Sequence, residues 1–206
     1  MRTRIISQQD HDRVSAAIRE AESRTSGEIV CVLAQESADS TALPMLLAAL
    51  AALIVPWPLV ALTALPVNVI LMLQLFTFFV LSLVLCLPRV RIALVPRAAR
   101  RAMAHRMALE QFMIRGIGHK ADRTGVLIFV SLAERYARIV ADRAIADRVS
   151  QHQWQEAVNA LIDHTRHGRV ADGFIAAIER CGRVLEENFP RSEEDRRELP
   201  DRIYLI

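Results

Sequence analysis

Three aspartates, Asp122, Asp142 and Asp172, stand where apolar runs give way to loops. Carboxylates converging from separate loops are the donor set that holds a hard cation such as calcium or magnesium. Each also has a plainer use. Asp172 precedes Gly173 and suits the cap of a helix, while Asp142 beside Arg143 suits a cap or an ion pair. Arg123-Thr124-Gly125 offers a guanidinium and backbone amides to a phosphate. Its glycine equally suits a chain entering a sheet closely. His164 and His167 share a helix face at a spacing that could hold a metal. No third ligand accompanies them and Arg166 repels a cation, so a solvated face is the better reading. Ser131 follows a strand but lacks the flanking glycines of a nucleophile elbow, and the chain has no P-loop, HExxH or GxGxxG pattern. The expectation is no resident cofactor, with calcium or magnesium at the three aspartates as the alternative.

The elements that must position these residues follow from periodicity. Ser7 and Asp10 form a capping signal for a helix running to about residue 24, with Val14, Ile18 and Ala21 as its apolar stripe. Residues 28–34 read as a buried strand, short and apolar throughout. Later come a helix over 97–115, a strand over 125–131 and a half-exposed strand over 135–141, the last two joined as a hairpin by Leu132-Ala133-Glu134. Helices follow over 153–167 and 171–188. In the second, Phe174, Ile178, Cys181 and Leu185 share one face. Few strands and many covering helices define an α/β sandwich with a small mixed sheet. The charged tail 191–197 reads as solvated, with residues 203–206 tucking back. Cys31, Cys86 and Cys181 have neither disulfide nor zinc spacing and read as reduced thiols of a reducing compartment.

Between Asp39 and Arg89 lie 49 residues without Asp, Glu, Lys, Arg or His. One helix of that length would be about 70 Å long, more than twice the roughly 30 Å of a bilayer core. Two spanning helices, over about 42–62 and 67–87, fit instead, with a turn at Thr63, Pro66 and Asn68. Pro56-Trp57-Pro58 reads as a kink in the first. A soluble core helix would keep a polar stripe, and none exists here. A signal peptide would sit nearer the start and be shorter. The chain thus divides into residues 1–39, a transmembrane hairpin at 40–88, and residues 89–206.

Arg89, Arg91, Arg97, Arg100 and Arg101 follow the second span, with no acid before Arg106. Such a flank favours the cytoplasmic side and anionic lipid head groups. Since a hairpin returns both ends to one face, both soluble segments are expected in the cytoplasm of a bacterial-type inner membrane. The pI of about 9.1 does not imply nucleic-acid binding, because net charge is only +3 and the excess is local to the flank.

Ser26-Gly27-Glu28-Ile29-Val30, Arg123–Val130, Ile139–Ile145 and Gly168–Gly173 with the apolar helix after them resemble the TPM domain family. The resemblance implies an α/β/α sandwich. It also implies links to acid phosphatase activity, to photosystem repair and to assembly of membrane proteins, and a divalent cation held by aspartates at one end of the sheet. Many members open with an Asp-Asp pair before the first helix. Residues 1–7 hold no acid here, which argues against that metal site. The expectation is a non-catalytic, membrane-anchored interaction, assembly or quality-control factor for other membrane proteins. The alternative is a divalent-metal-dependent acid phosphatase at the membrane surface.

Overall fold

The structure is a computed structural model that describes residues 6–36, 42–87, 90, 93–119, 124–191 and 200–206. It divides into two compact units: Met1–Ser37 with Met103–Ile206, and Ala38–Ala102.

The first unit is built on a mixed four-stranded sheet. Its strands are β1 (Glu28–Ala34), β2 (Gly125–Ser131), β3 (Tyr136–Ala141) and β4 (Ile203–Leu205), in the order β3-β2-β1-β4. β1 runs parallel to β2 and to β4, whereas β2 and β3 are antiparallel. Every residue of β1 and β2 is buried. That is why both read as unbroken apolar runs: a strand covered on both faces has no polar side to alternate with. β3 lies at the edge and is half-exposed, and it joins β2 through a tight turn in which Arg135 takes φ +50°.

Helices cover both faces of this sheet. On one face, α1 (Gln8–Glu22) lies with two later helices, α7 (Gln151–Arg166) and α8 (Val170–Asn188). Their Val14, Ile18, Trp154, Leu161, Phe174 and Ile178 pack on Ile29, Cys31, Leu33, Val126, Ile128 and Val130. A side chain at Gly182 would bring its Cβ to 2.9 Å from that of Ala21, so glycine is what lets α8 approach α1 this closely. On the other face, Ala108 and Phe112 of α5 (Arg97–Ile114) and Ile117 of the following 3-10 turn pack on Val30, Val32, Ala34, Leu127 and Phe129. The result is an α/β/α sandwich. The helix starts follow local chemistry: Ser7 Oγ accepts from Asp10 N at 3.1 Å in α1, and Gln153 Oε1 accepts from Ser150 N at 3.1 Å in α7.

β4 and the single turn α6 (Arg143–Ala146) have no counterpart in the periodicity reading. β4 has three residues and pairs with β1 across most of the chain (Cys31↔Ile203, Leu33↔Leu205), a partnership that local pattern cannot reveal. Arg115 and Arg202 flank its Tyr204, their guanidinium carbons 3.5 and 4.7 Å from the ring centroid.

The second unit holds α2 (Ala42–Ile54), α3 (Pro56–Leu62) and α4 (Val67–Leu85). The break after Ile54 falls at Pro56-Trp57-Pro58, as the missing amide of proline requires. Pro44, Ala48 and Ala52 are the buried residues of α2 and Ile70 that of α4. Small side chains at this spacing let two helices pack closely. Residues Ala42–Leu62 and Val67–Leu85 are long and apolar enough to cross a membrane, with only 11% and 6% buried.

Candidate functional site

β1 and β2 start together, with Glu28 opposite Gly125, and β3, antiparallel, ends there. Asp142 follows β3. Its backbone N–H donates to Gly125 O at 2.9 Å and its Oδ1 accepts from Arg143 N at 2.6 Å, capping α6. Its other oxygen, Oδ2, is buried and meets no donor among the described residues. Gly125 is a close-approach glycine: an added Cβ would lie 2.3 Å from Ile117 Cγ2. Thr124 Oγ1 donates to Ser26 O at 3.2 Å and so ties the β2 entry to the β1 entry.

The same end of the sheet receives a carboxyl that motif reading missed. Glu22, in the last turn of α1, is buried, and its Oε1 accepts from Ile29 N at 2.8 Å. The carboxyl also lies within hydrogen-bond reach of the Asp201 side chain, and Glu28 is near. Burial first, and these two carboxylates next, push Glu22 up to about 8. A carboxyl raised this far favours its protonated form at neutral pH, the form that can share a proton with Asp201. A neutral carboxylic acid thus links α1 to the segment leading into β4. The sequence signal was present: Glu22 is four residues after Ile18, on the apolar stripe of α1.

Asp172 is elsewhere. It lies within the first turn of α8 and does not cap it, because the cap position is Arg169. Its Oδ1 accepts from Arg13 Nη2 at 2.7 Å, and Arg13 Nη1 also donates to Asp10 Oδ1 at 3.1 Å. The far end of α8 is the one at the strand starts, since Thr25 Oγ1 and Ser26 N both donate to Phe189 O. Asp172 and Asn188 are roughly 24 Å apart along the helix axis at about 1.5 Å per residue. Asp142 and Asp172 therefore sit at opposite ends of the sheet and do not meet on one cation. Asp122 and Arg123 lie outside the described residues. Among the described residues, no group of three or more His, Cys, Asp or Glu is placed to hold a metal.

The histidines differ from expectation in one respect. His167 is exposed, its Nδ1 2.7 Å from Asp163 O at the end of α7, but His164 is half-buried and not on an open face. Cys31 and Cys181 are fully buried free thiols; burial pushes Cys31 well above its ordinary range and Cys181 up to about 12, so neither is a thiolate nucleophile. Ser131 is fully buried and donates to Glu134 in the β2–β3 turn. A groove of about 290 Å³ between α1 and α8 is rimmed by Arg13, Arg24, Glu20 and Glu179 over an alanine-rich floor. Arg13 is engaged with Asp10 and Asp172, and Arg24 with Glu186 at 3.5 Å. Arg97, Arg100 and Arg101 fall in the first turns of α5, while Arg89 and Arg91 lie outside the described residues.

An α/β/α sandwich on a mixed sheet, with an apolar helical hairpin between β1 and α5, defines the class of molecule. Residues 88–184 match the TPM domain model. The fold extends further. The structure resembles that of the BA42 protein from the psychrophilic bacterium Bizionia argentinensis, solved by NMR, with a TM-score of 0.63 and 20% sequence identity over 100% of this chain and 98% of that one. No curated protein matches the sequence. The TPM match begins after the hairpin, yet the sheet also takes its central strand β1 from residues before it.

Proposed function

We propose that this chain is a membrane-tethered, non-catalytic TPM domain that binds other membrane proteins and assists their assembly or quality control. The observation that carries the reading is the hairpin. Two helices of 21 and 19 residues leave nearly all of their apolar surface uncovered. Water would penalise that exposure heavily, at about 25 cal/mol for each Å², whereas hydrocarbon would not. The hairpin interrupts the α/β unit between β1 and α5, so both soluble segments return to one membrane face. The arginines after α4 favour the cytoplasmic face.

Photo-crosslinking from full-length protein in its native membrane tests the proposal. Defined integral membrane proteins are expected to be captured by the wild-type chain. They should be lost from a Phe174→Asp variant, which keeps the hairpin but disrupts the domain core. Capture of no integral protein by intact chain sinks the interaction reading. Release of the chain by alkaline carbonate sinks the membrane reading. The alternative, a divalent-metal-dependent acid phosphatase, needs Asp122, Asp142 and Asp172 on one cation. Calcium or magnesium should then raise the melting temperature saturably, and Asp142→Asn should abolish the rise. Under the interaction reading neither cation has that effect.

A further inference from the structure

α5 presents two faces of opposite use. Ala108 and Phe112 face the sheet, and Ala104, one turn earlier, is buried as well. On its outward side Met103, Arg106, Leu109, Glu110, Met113 and Ile114 are exposed, the last two at 61% and 75%. An apolar side uncovered on a helix this basic is the composition of a helix that lies in a lipid interface. From the membrane reading proposed above, and resting on it, we infer that the outward face of α5 seats on an anionic phospholipid surface as a second membrane contact.

Three observations support a lipid surface as the occupant. First, charge separates by layer. α5 carries four arginines and one glutamate, a formal +3. The three helices on the other sheet face, α1, α7 and α8, together carry five arginines and ten acids, a formal −5. An anionic bilayer attracts the first layer and repels the second. Second, Arg138 of β3, an exposed residue, alternates with Tyr136 and Val140, which pack on the α5 side, so the basic character extends beyond the helix. Third, only residues 86–96 separate the end of α4 from α5. Even fully extended, a link of that length keeps the start of α5 within about 40 Å of the end of α4.

The test uses the full chain in nanodiscs of phosphatidylcholine, alone or mixed with phosphatidylglycerol. A fluorophore at Met113→Cys, in a Cys86→Ser background, is read against lipid bearing a nitroxide at its head group. Cys31 and Cys181 are fully buried and do not compete for the label. Quenching is expected in the anionic discs, with little at a Glu179→Cys label on α8. Each of Arg101→Gln and Arg106→Gln should lower the seating equilibrium about five-fold, the cost of one basic residue near an anionic surface. A label at Phe79→Cys, read with acyl-chain nitroxide, reports the hairpin separately. Quenching at Phe79 without quenching at Met113 overturns the inference and leaves the anchor standing. Quenching at neither position overturns both. A Met113 label shielded alike in both lipids and indifferent to the arginine changes assigns the face to protein, a second copy included, and overturns the lipid assignment.

Discussion

The two units use the same residue types for opposite ends. In the α/β unit Phe129, Phe174, Leu127 and Ile128 are fully buried; in the hairpin Phe76, Phe79, Leu53 and Leu62 are 63–82% exposed. The chain's two tryptophans divide the same way, Trp154 at 5% and Trp57 at 78%. One unit is organised by water, which drives its apolar groups onto a sheet. The other leaves most of its apolar groups uncovered, and its buried positions are Pro44, Ala48 and Ala52 in α2 and Ile70 in α4, mostly small groups that favour close approach over bulk. Composition alone therefore does not say what an apolar residue does in this chain. Its element decides.

The largest effect expected from this contrast is a difference between two identical substitutions. Phe129→Ala empties a filled site between α5 and the sheet and should cost about 3–5 kcal/mol. Phe76→Ala removes a side chain that meets only the surroundings of the hairpin and should stay within about 0.5 kcal/mol. Urea denaturation in detergent checks both, with Trp57→Phe as the background so that Trp154 alone reports the α/β unit. Equal losses would mean that the hairpin is packed against something, and the contrast would fail.

The next effect belongs to Glu22. In the fold this carboxyl holds its proton up to about pH 8, whereas unfolded it releases it near 4.5. Between those values the folded state binds more protons, so stability falls as pH rises across the window and is fullest below it. Over that range the loss should reach about 2–4 kcal/mol. Glu22→Gln keeps an acceptor for Ile29 N and a donor for Asp201 and cannot ionise. Its stability curve should be flatter from pH 5 to about 8, where it should exceed the wild type. A wild-type curve as flat as the variant's would show that Glu22 is already ionised in the fold. No comparable dependence is expected of the hairpin, which has no ionisable side chain between Ala42 and Leu85.

Smaller again is the effect at the β2 entry. A Cβ at Gly125 would press on Ile117, so Gly125→Val forces the 3-10 turn away and should cost about 1–3 kcal/mol. Pairing it with Ile117→Ala should recover part of that loss. Failure to recover would place the strain in the backbone.

Much of the fold was legible because it is local. β1 and β2 declare themselves by unbroken apolar runs, α8 by Phe174, Ile178, Cys181 and Leu185, and the hairpin by 49 residues without charge. What was not legible is long-range. β4 exists through pairing with a strand about 170 residues earlier, where three residues supply no period. The separation of Asp142 from Asp172 has a related cause. Periodicity gives α8 and β3 but not their directions, and α8 runs with its start away from the end of β3. Asp142 and Asp172, similar in sequence as acids at element ends, are therefore placed apart. Glu22 was visible as an acid on an apolar stripe, yet its role depends on Asp201, which arrives from the other end of the chain.

The finest division within the α/β unit lies between those two aspartates. Asp142 is buried and its carboxylate satisfies the first amide of α6 at 2.6 Å. Truncation removes that bond from a site water does not reach freely, so Asp142→Ala should cost about 1 kcal/mol, as loss of a helix cap does. Asp172 meets Arg13 across an open surface, with side chains 35% and 49% exposed. Solvent and salt screen such a pair, and holding two long side chains costs entropy. Asp172→Ala should therefore perturb stability less than Asp142→Ala, and its effect should shrink further as salt is raised, while the cap's effect holds. Melting curves at low and high ionic strength read both. If the order reverses, or if calcium rescues Asp172→Ala but not Asp142→Ala, then Asp172 belongs to a site that its pairing with Arg13 conceals.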